Sequence, residues 1–161
     1  MKRYRSSDLR KGRLSEAGHV YLITTATHER KPLFTCWKLG RLVCRELKGL
    51  HDAGQATSLA WVVMPDHLHW LFVLRHSHLA RVIQRVKVRS ALAINRALGR
   101  SGPVWQKGFH DHALRRSESL QATARYIIAN PLRAGLVRRV GDYPLWDAIW
   151  LDPGDEASAW L

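Results

Sequence analysis

Residues 64–73 read Met-Pro-Asp-His-Leu-His-Trp-Leu-Phe-Val. His67 and His69 stand one residue apart in an apolar, strand-like run. Alternate residues of a strand project to the same face, so the two imidazoles point together and Leu68 points away. Two imidazoles side by side on a rigid element form half of a metal site. The plainer alternative is a pair of polar residues on the wet face of an edge strand. The flanking Trp70, Leu71, Phe72 and Val73 argue against an exposed edge. Further along, Tyr126 and Asn130 lie four residues apart. On a helix that spacing is one turn, which puts both side chains on one face. Tyr126 offers a phenolic oxygen, a capable nucleophile when deprotonated or metal-activated. Asn130 offers a carbonyl oxygen, a hard ligand suited to Mg²⁺ or Mn²⁺. Each residue alone has an ordinary explanation, a packing tyrosine and a helix-end asparagine. Together with His67 and His69 they would complete a three-ligand site with open positions for a phosphate.

Composition narrows the partner. The chain has 161 residues, enough for one domain with a real core. It carries 26 Lys and Arg against 13 Asp and Glu, a net charge of +13 and a pI near 10.7. Such an excess attracts polyanions, of which nucleic acid is the commonest. An anionic membrane surface or a ribosomal partner are the alternatives. No apolar run is long enough to span a membrane. Met-Lys-Arg-Tyr-Arg-Ser-Ser at residues 1–7 is basic but no apolar stretch follows, so a signal peptide is not expected. Cys36 and Cys44 fall eight residues apart in one helical pattern, about 12 Å, too far to bridge. They read as reduced thiols of a cytosolic protein. No phosphate-cradling glycine loop is present, so no nucleotide cofactor is expected.

The elements that must hold these residues can be read from periodicity. Residues 1–17 read as a basic arm that either contacts phosphate or is a mere tail. His19–Thr27 is rich in β-branched and aromatic residues and predicts a strand. Leu39, Leu42, Val43, Leu47 and Leu50 recur at helical spacing, predicting a helix from Trp37 to Leu50. Thr57–Met64 and His67–Leu74 are strands joined by Pro65-Asp66, too close to be anything but an antiparallel hairpin. A long helix runs about His78–Leu98, with Leu79, Val82, Ile83 and Val86 inward. Arg81, Arg85 and Arg89 recur along another side of it, a solvated face or a phosphate-contacting one. Phe109–Leu114 predicts a weaker strand. Ser117 or Ser119 caps a helix through Leu120, Ala124, Tyr126 and Ile127. Pro131 disfavours helical geometry at Asn130, with a short helical turn to follow over Pro131–Leu136. The tail, residues 143–161, carries Trp146, Trp150 and Trp160 and ends in Asp152, Asp155 and Glu156. Part of it is expected to dock, since three exposed tryptophans would be unusual.

Strand, helix, strand, strand, helix, strand is the order of an α+β, ferredoxin-like (βαββαβ) antiparallel sheet with helices on one face. Histidines under those helices would be costly to bury. They are therefore expected on the other face, with the tyrosine-bearing helix lying over them. The expected organisation is an arm at 1–17, a domain at 18–142 and a tryptophan-rich tail at 143–161.

Three blocks also carry a resemblance: Met-Pro-Asp-His-Leu-His at 64–69, Trp-Gln-Lys-Gly-Phe-His-Asp-His-Ala-Leu-Arg at 105–115, and Ala-Arg-Tyr-Ile-Ile-Ala-Asn-Pro-Leu-Arg-Ala-Gly-Leu at 124–136. In this order they resemble the REP-associated tyrosine transposases, single-tyrosine members of the His-hydrophobic-His endonucleases. The resemblance extends from Gly12-Arg13 to about Trp150. It implies a bacterial, nucleoid-associated enzyme that cuts and rejoins single-stranded DNA at palindromic hairpins. It implies Tyr126 as nucleophile and His67, His69 and Asn130 as ligands of Mg²⁺ or Mn²⁺, with a 5′-phosphotyrosine intermediate. The alternative is a non-catalytic DNA- or RNA-hairpin-binding protein of the same fold. His110-Asp111-His112 is a second His-x-His on the weaker strand, read as DNA-contacting rather than as the metal pair. Arg13, Lys107, His110, His112 and Arg115 join Arg81, Arg85 and Arg89 as candidate DNA contacts. A monomer or a homodimer would serve.

Overall fold

A computed structural model describes residues 15–76 and 78–149. Arg13 and the arm up to residue 14 lie outside the described residues, as do Trp150, Trp160, Asp152, Asp155 and Glu156. The elements run β1 (Val20–Ala26), α1 (Trp37–Asp52), β2 (Ala56–Met64), β3 (His67–Leu74), α2 (Leu79–Leu98), β4 (His110–Ala113), α3 (Leu120–Ile128), α4 (Asn130–Arg133) and β5 (Trp146–Ala148). The five strands form one sheet in the order β4-β1-β3-β2-β5, with every pairing antiparallel. Its first four strands reproduce the expected ferredoxin-like order. β3 is central, between β1 and β2, because the Pro65-Asp66 turn fixes one neighbour and the α1 crossover the other.

The pleat of β3 divides two cores. Leu68, Trp70, Phe72 and Leu74 face α1 and α2, where they meet Val43, Leu47, Val82, Ile83 and Val86. Leu71 faces the other way, against Ala124, Ile127 and Ile128 of α3. Buried polar atoms on the helix-paired side are mostly satisfied, as burial demands. The Trp70 indole donates to Ser58 Oγ at 2.9 Å, and the Trp105 indole donates to Ser90 Oγ at 3.0 Å. A bulge between Ser58 and Ala60 turns Leu59 toward the α3 side. Cys36 and Cys44 are free thiols, and burial pushes that of Cys44 up to about 12.

Two local expectations are corrected. β4 is shorter than Phe109–Leu114, because the segment before His110 leaves the ladder. Asn130 is helical: Pro131 sits in the first turn of α4, where its missing N–H costs nothing. The described part of the tail docks on the domain, in line with the expectation from its tryptophans. Tyr143 donates its hydroxyl to Val63 O at 2.6 Å, Leu145 is buried against α1, and residues 146–148 add a fifth strand to the β2 edge.

Gly40, in the first turns of α1, shows how close this packing is. A methyl there would overlap the Leu145 Cδ1 atom. Helix propensity favours alanine over glycine by about 1 kcal/mol. Here Gly40→Ala is expected to destabilise by about 1–2 kcal/mol through overpacking, read as a lower urea midpoint; an unchanged or raised midpoint contradicts the packing argument.

Candidate functional site

A chain of hydrogen bonds fixes the two histidines. His67 Nδ1 lies 2.6 Å from Asp66 Oδ1, His67 Nε2 lies 3.1 Å from His69 Nε2, and His69 Nδ1 lies 2.8 Å from Thr24 Oγ1. The Asp66 carboxylate accepts only, so in the neutral ring the proton of His67 is on Nδ1 and its Nε2 lone pair is bare. A carboxylate behind a ligating imidazole is the usual arrangement that orients it. The Thr24 hydroxyl can donate or accept, so it holds the His69 ring in either tautomer. The rings stand edge to face at 87° with centroids 4.8 Å apart.

This geometry fits a shared cation. Two nitrogens each about 2.1 Å from one ion, at a right angle, are about 3 Å apart. The observed Nε2–Nε2 separation is 3.1 Å. Among the described residues no cluster of three His, Cys, Asp or Glu could hold a metal. Among the described residues a further ligand would come from an amide or hydroxyl oxygen. Burial, reinforced by the neighbouring His67 and the Arg133 and Arg30 charges, lowers the His69 pKa to about 4. His69 is accordingly neutral near pH 7, with a lone pair to give.

The tyrosine helix covers the same sheet face. α3 begins at Ser119, whose Oγ accepts from Ala122 N at 3.2 Å. It buries Ala124, Ile127 and Ile128 and leaves Tyr126 64% exposed. Tyr126 and Asn130 are separated by a break at Ala129, so they belong to two short helices rather than one. Two residues cap the carbonyls this break exposes. Asn130 Nδ2 donates to Ile127 O at 2.8 Å, and Arg133 Nη2 donates to Tyr126 O at 2.7 Å. The Arg133 guanidinium also lies 4.1 Å from the centre of the Tyr126 ring, a cation–π contact. With its NH₂ group engaged, the Asn130 amide has its oxygen left for a ligand.

Other candidates are distributed unequally. Strand register pairs Thr24 with both His69 and His110, so His69, Thr24 and His110 form a row across one sheet face. His112 is on that face too, held 2.8 Å from Glu118 Oε1, and Arg115 donates its backbone N–H to Glu118 Oε2. Lys107 is exposed in the segment before β4. Arg81, Arg85 and Arg89 lie on α2, in the layer opposite the histidines. Arg85 donates to Gln55 and Arg89 is 2.9 Å from Glu46. The structure therefore does not bring that row to the site. Sequence reasoning gave no chemical role to Asp66, Thr24, Arg30 or Arg133. Adjacency to His67 marks Asp66; only strand register and loop geometry reveal the others.

The sequence profile of the IS200-like transposases matches residues 16–130, a span holding both histidines, Tyr126 and Asn130. The chain belongs to the IS200-like transposase family. It is similar to the REP-associated tyrosine transposase of Escherichia coli (strain K12), 30% identical over 90 residues, covering 53% of this chain and 50% of that one. It is also similar to a putative REP-associated tyrosine transposase of Haemophilus influenzae, 28% identical over 98 residues, covering 54% and 56%. The chain thus spans about half the length of the curated relatives it matches. A solved structure described as a REP-associated tyrosine transposase bound to a REP hairpin shares the fold, with a TM-score of 0.68 at 23% identity over 91% of this chain and 82% of that one. No helix among the described residues of this IS200-like chain is long and apolar enough to cross a membrane.

The buried neutral His69 links stability to pH. Its folded pKa, about 4, lies below the ordinary histidine value of 6.5, so the unfolded chain binds more protons between those values. The contribution is fully present above about 6.5 and is lost as pH falls toward 4, on the order of 2–3 kcal/mol for the metal-free protein. His69→Asn is expected to flatten that part of the stability profile relative to the unsubstituted protein; parallel profiles from pH 7 to 4 contradict it.

Proposed function

We propose that this chain is a metal-dependent endonuclease and strand transferase that acts on single-stranded DNA beside palindromic hairpins, through a 5′-phosphotyrosine on Tyr126. The observation that carries this is the pair of Nε2 atoms 3.1 Å apart, oriented by Asp66 and Thr24 on the face that the tyrosine helix covers. Membership of the family and the hairpin named with the solved structure support the reading.

His67 Nε2, His69 Nε2 and the Asn130 oxygen would hold Mg²⁺ or Mn²⁺. When bound, that ion polarises the scissile phosphate and shields its charge from the incoming oxygen. Histidine is a less usual ligand for Mg²⁺ than carboxylate, so Mn²⁺ suits the site at least as well. Tyr126 attacks phosphorus. The phenolic oxygen forms the new P–O bond and gives up its proton, while the 3′-oxygen leaves and takes one up as a free 3′-hydroxyl. The phosphodiester energy is kept in the phosphotyrosine, so a 3′-hydroxyl can reverse the step and join strands without ATP. Arg133 holds the Tyr126 backbone and ring and brings positive charge to where the phosphate must sit. A tyrosine helix packed on its own chain's sheet supports attack within one protomer. His110, His112, Lys107 and Arg115 lie along β4 and its flanks, positioned to contact the flanking strand.

Tyr126→Phe is expected to abolish the covalent protein–DNA adduct on a hairpin with single-stranded flanks, while changing hairpin affinity less than about twofold. His67→Ala and His69→Ala are each expected to cut adduct formation by about 10³-fold or more in saturating Mn²⁺. An adduct formed by the Phe variant at the normal rate contradicts the assignment; no adduct from the unsubstituted protein with any divalent metal favours the hairpin-binding alternative. Affinity for the hairpin is expected to fall linearly on a log–log plot against salt.

A further inference from the structure

A groove of about 700 Å³ lies in the layer opposite the histidines, between α1 and the β2–β5 edge of the sheet. Arg41, Arg45, Lys48 and His51 of α1 line it together with Trp61 and Ile149. Helical spacing and strand pleat explain the mixture. α1 turns Leu39, Val43, Leu47 and Leu50 into the core. Arg41, Arg45, Lys48 and Asp52 recur at three- and four-residue steps, so one flank of the helix carries them all. Trp61 and Asp147 are register partners, so both side chains leave the sheet toward that flank. Ile149, just past β5, donates its N–H to Leu59 O at 2.9 Å and lines the same side.

The groove holds more positive charge than its own two acids engage. Lys48 Nζ is paired with Asp52 Oδ2 at 2.6 Å, and Asp147 Oδ1 accepts from the Ala148 N–H at 2.8 Å. Arg41 lies over the Trp37 ring, 5.2 Å from its centre, a contact that leaves its N–H donors for another partner. Arg45 is exposed and makes no ion pair among the described residues. His51 Nδ1 accepts from the Ser58 N–H at 3.2 Å, so the neutral ring keeps Nε2–H as a further donor. Beside these groups lies apolar surface. Trp61 is half-buried and Ile149 is 57% exposed. Apolar surface rimmed by cations matches an occupant that brings both bulky apolar groups and negative charge.

We propose that this groove is the docking site of residues 150–161 of the same chain. That segment reads Trp-Leu-Asp-Pro-Gly-Asp-Glu-Ala-Ser-Ala-Trp-Leu, with Asp152, Asp155 and Glu156, no Lys or Arg, and large apolar residues at both ends, in a chain whose net charge is +13. It departs from the groove's own wall, since Ile149 lines the groove. Its reach is sufficient. From Ile149 to Asp155 an extended chain covers up to about 20 Å, and Arg41 to His51 on α1 spans about 15 Å. Pro153-Gly154 is a turn signal, suited to reversing the direction of β5 back over α1. The acids then meet Arg41, Arg45 and His51, and the tryptophans cover Trp61 and Ile149. Tethering holds the segment beside the groove at an effective concentration on the order of millimolar, so contacts that are individually weak suffice.

The test traps the docked segment in the full chain. In a Cys36→Ser, Cys44→Ala background, Arg45→Cys and Asp155→Cys form a probe pair, and disulfide closure under mild oxidation is timed by mass spectrometry. A second chain also carries Asp152→Asn and Glu156→Asn, which keep the tether length and remove the charge. The pair is expected to close about tenfold faster in the acidic chain, the excess over simple tethering. About 0.5 M salt is expected to erase most of that difference. Equal rates in the two chains, or no closure in either, overturn the proposal. Equal rates that hairpin DNA slows also overturn it and assign the groove to nucleic acid. A second measurement leaves the groove unsubstituted, which matters if the cysteine variants fold poorly. The Trp61 indole N–H resonance is expected to shift when Asp152, Asp155 and Glu156 are all replaced by Asn, and an unmoved resonance overturns the docking.

Discussion

Everything at the site depends on the two-residue period of one central strand. β3 is buried on both sides, so each of its side chains must belong to one core or the other. Leu68, Trp70, Phe72 and Leu74 are committed to the helical layer by their bulk. A slip of one residue would drive His67 and His69 into that layer and turn the large apolar set outward. The apolar residues therefore set the register, and the histidines inherit their direction from it. The polar network then refines position: Asp66 and Thr24 grip the outer nitrogens and turn the inner pair toward each other.

The polar side of the sheet is a graded surface. At its centre the half-buried imidazoles lie beside Met64 and Val62 of β2, their register partners. Toward β4 the row continues through Thr24 to His110 and becomes exposed. Arg30 and Arg133 approach from two different segments, and both depress the basicity of His69. A site that gathers cations around a neutral imidazole is suited to a negatively charged oxygen ligand, since an isolated cluster of like charges is otherwise unfavourable. The basic excess of the chain is thus focused at its functional face as well as spread over α2.

The strand order, the two helices on one face and the position of the histidines were all legible from periodicity. Each is dictated by burial, and burial leaves a pattern in sequence. The pairing of Asp66 with His67 was half legible, since adjacency announced it but a turn explained it equally well. What could not be read were contacts set by register and by loop shape. Nothing in the composition of Thr-Thr-Ala-Thr distinguishes Thr24, which serves His69, from Thr25, which is buried on the other face, opposite Leu68. Left-handed backbone at Glu29 and Arg30 has no glycine or asparagine to signal it. The expectation that Pro131 would expel Asn130 from a helix failed because a second helix starts there, and a proline is welcome in a first turn. The fifth strand escaped notice because three residues give no measurable alternation.

That fifth strand has a bearing on how copies of this chain meet. A sheet edge with a long row of unpaired backbone groups is a template for another chain. Here the long strands β1, β2 and β3 are all interior. Among the described residues the edges are β4, with four residues, and β5, with three. Each offers only a few backbone groups to a newcomer, and the segment before β4 leaves the ladder, with only a single bridge between Thr27 and Trp105 beyond His110. Extension of the sheet from one molecule into the next is thereby discouraged at both ends. Self-association through the described part of this sheet would therefore draw on side-chain surfaces rather than on the edges of its strands.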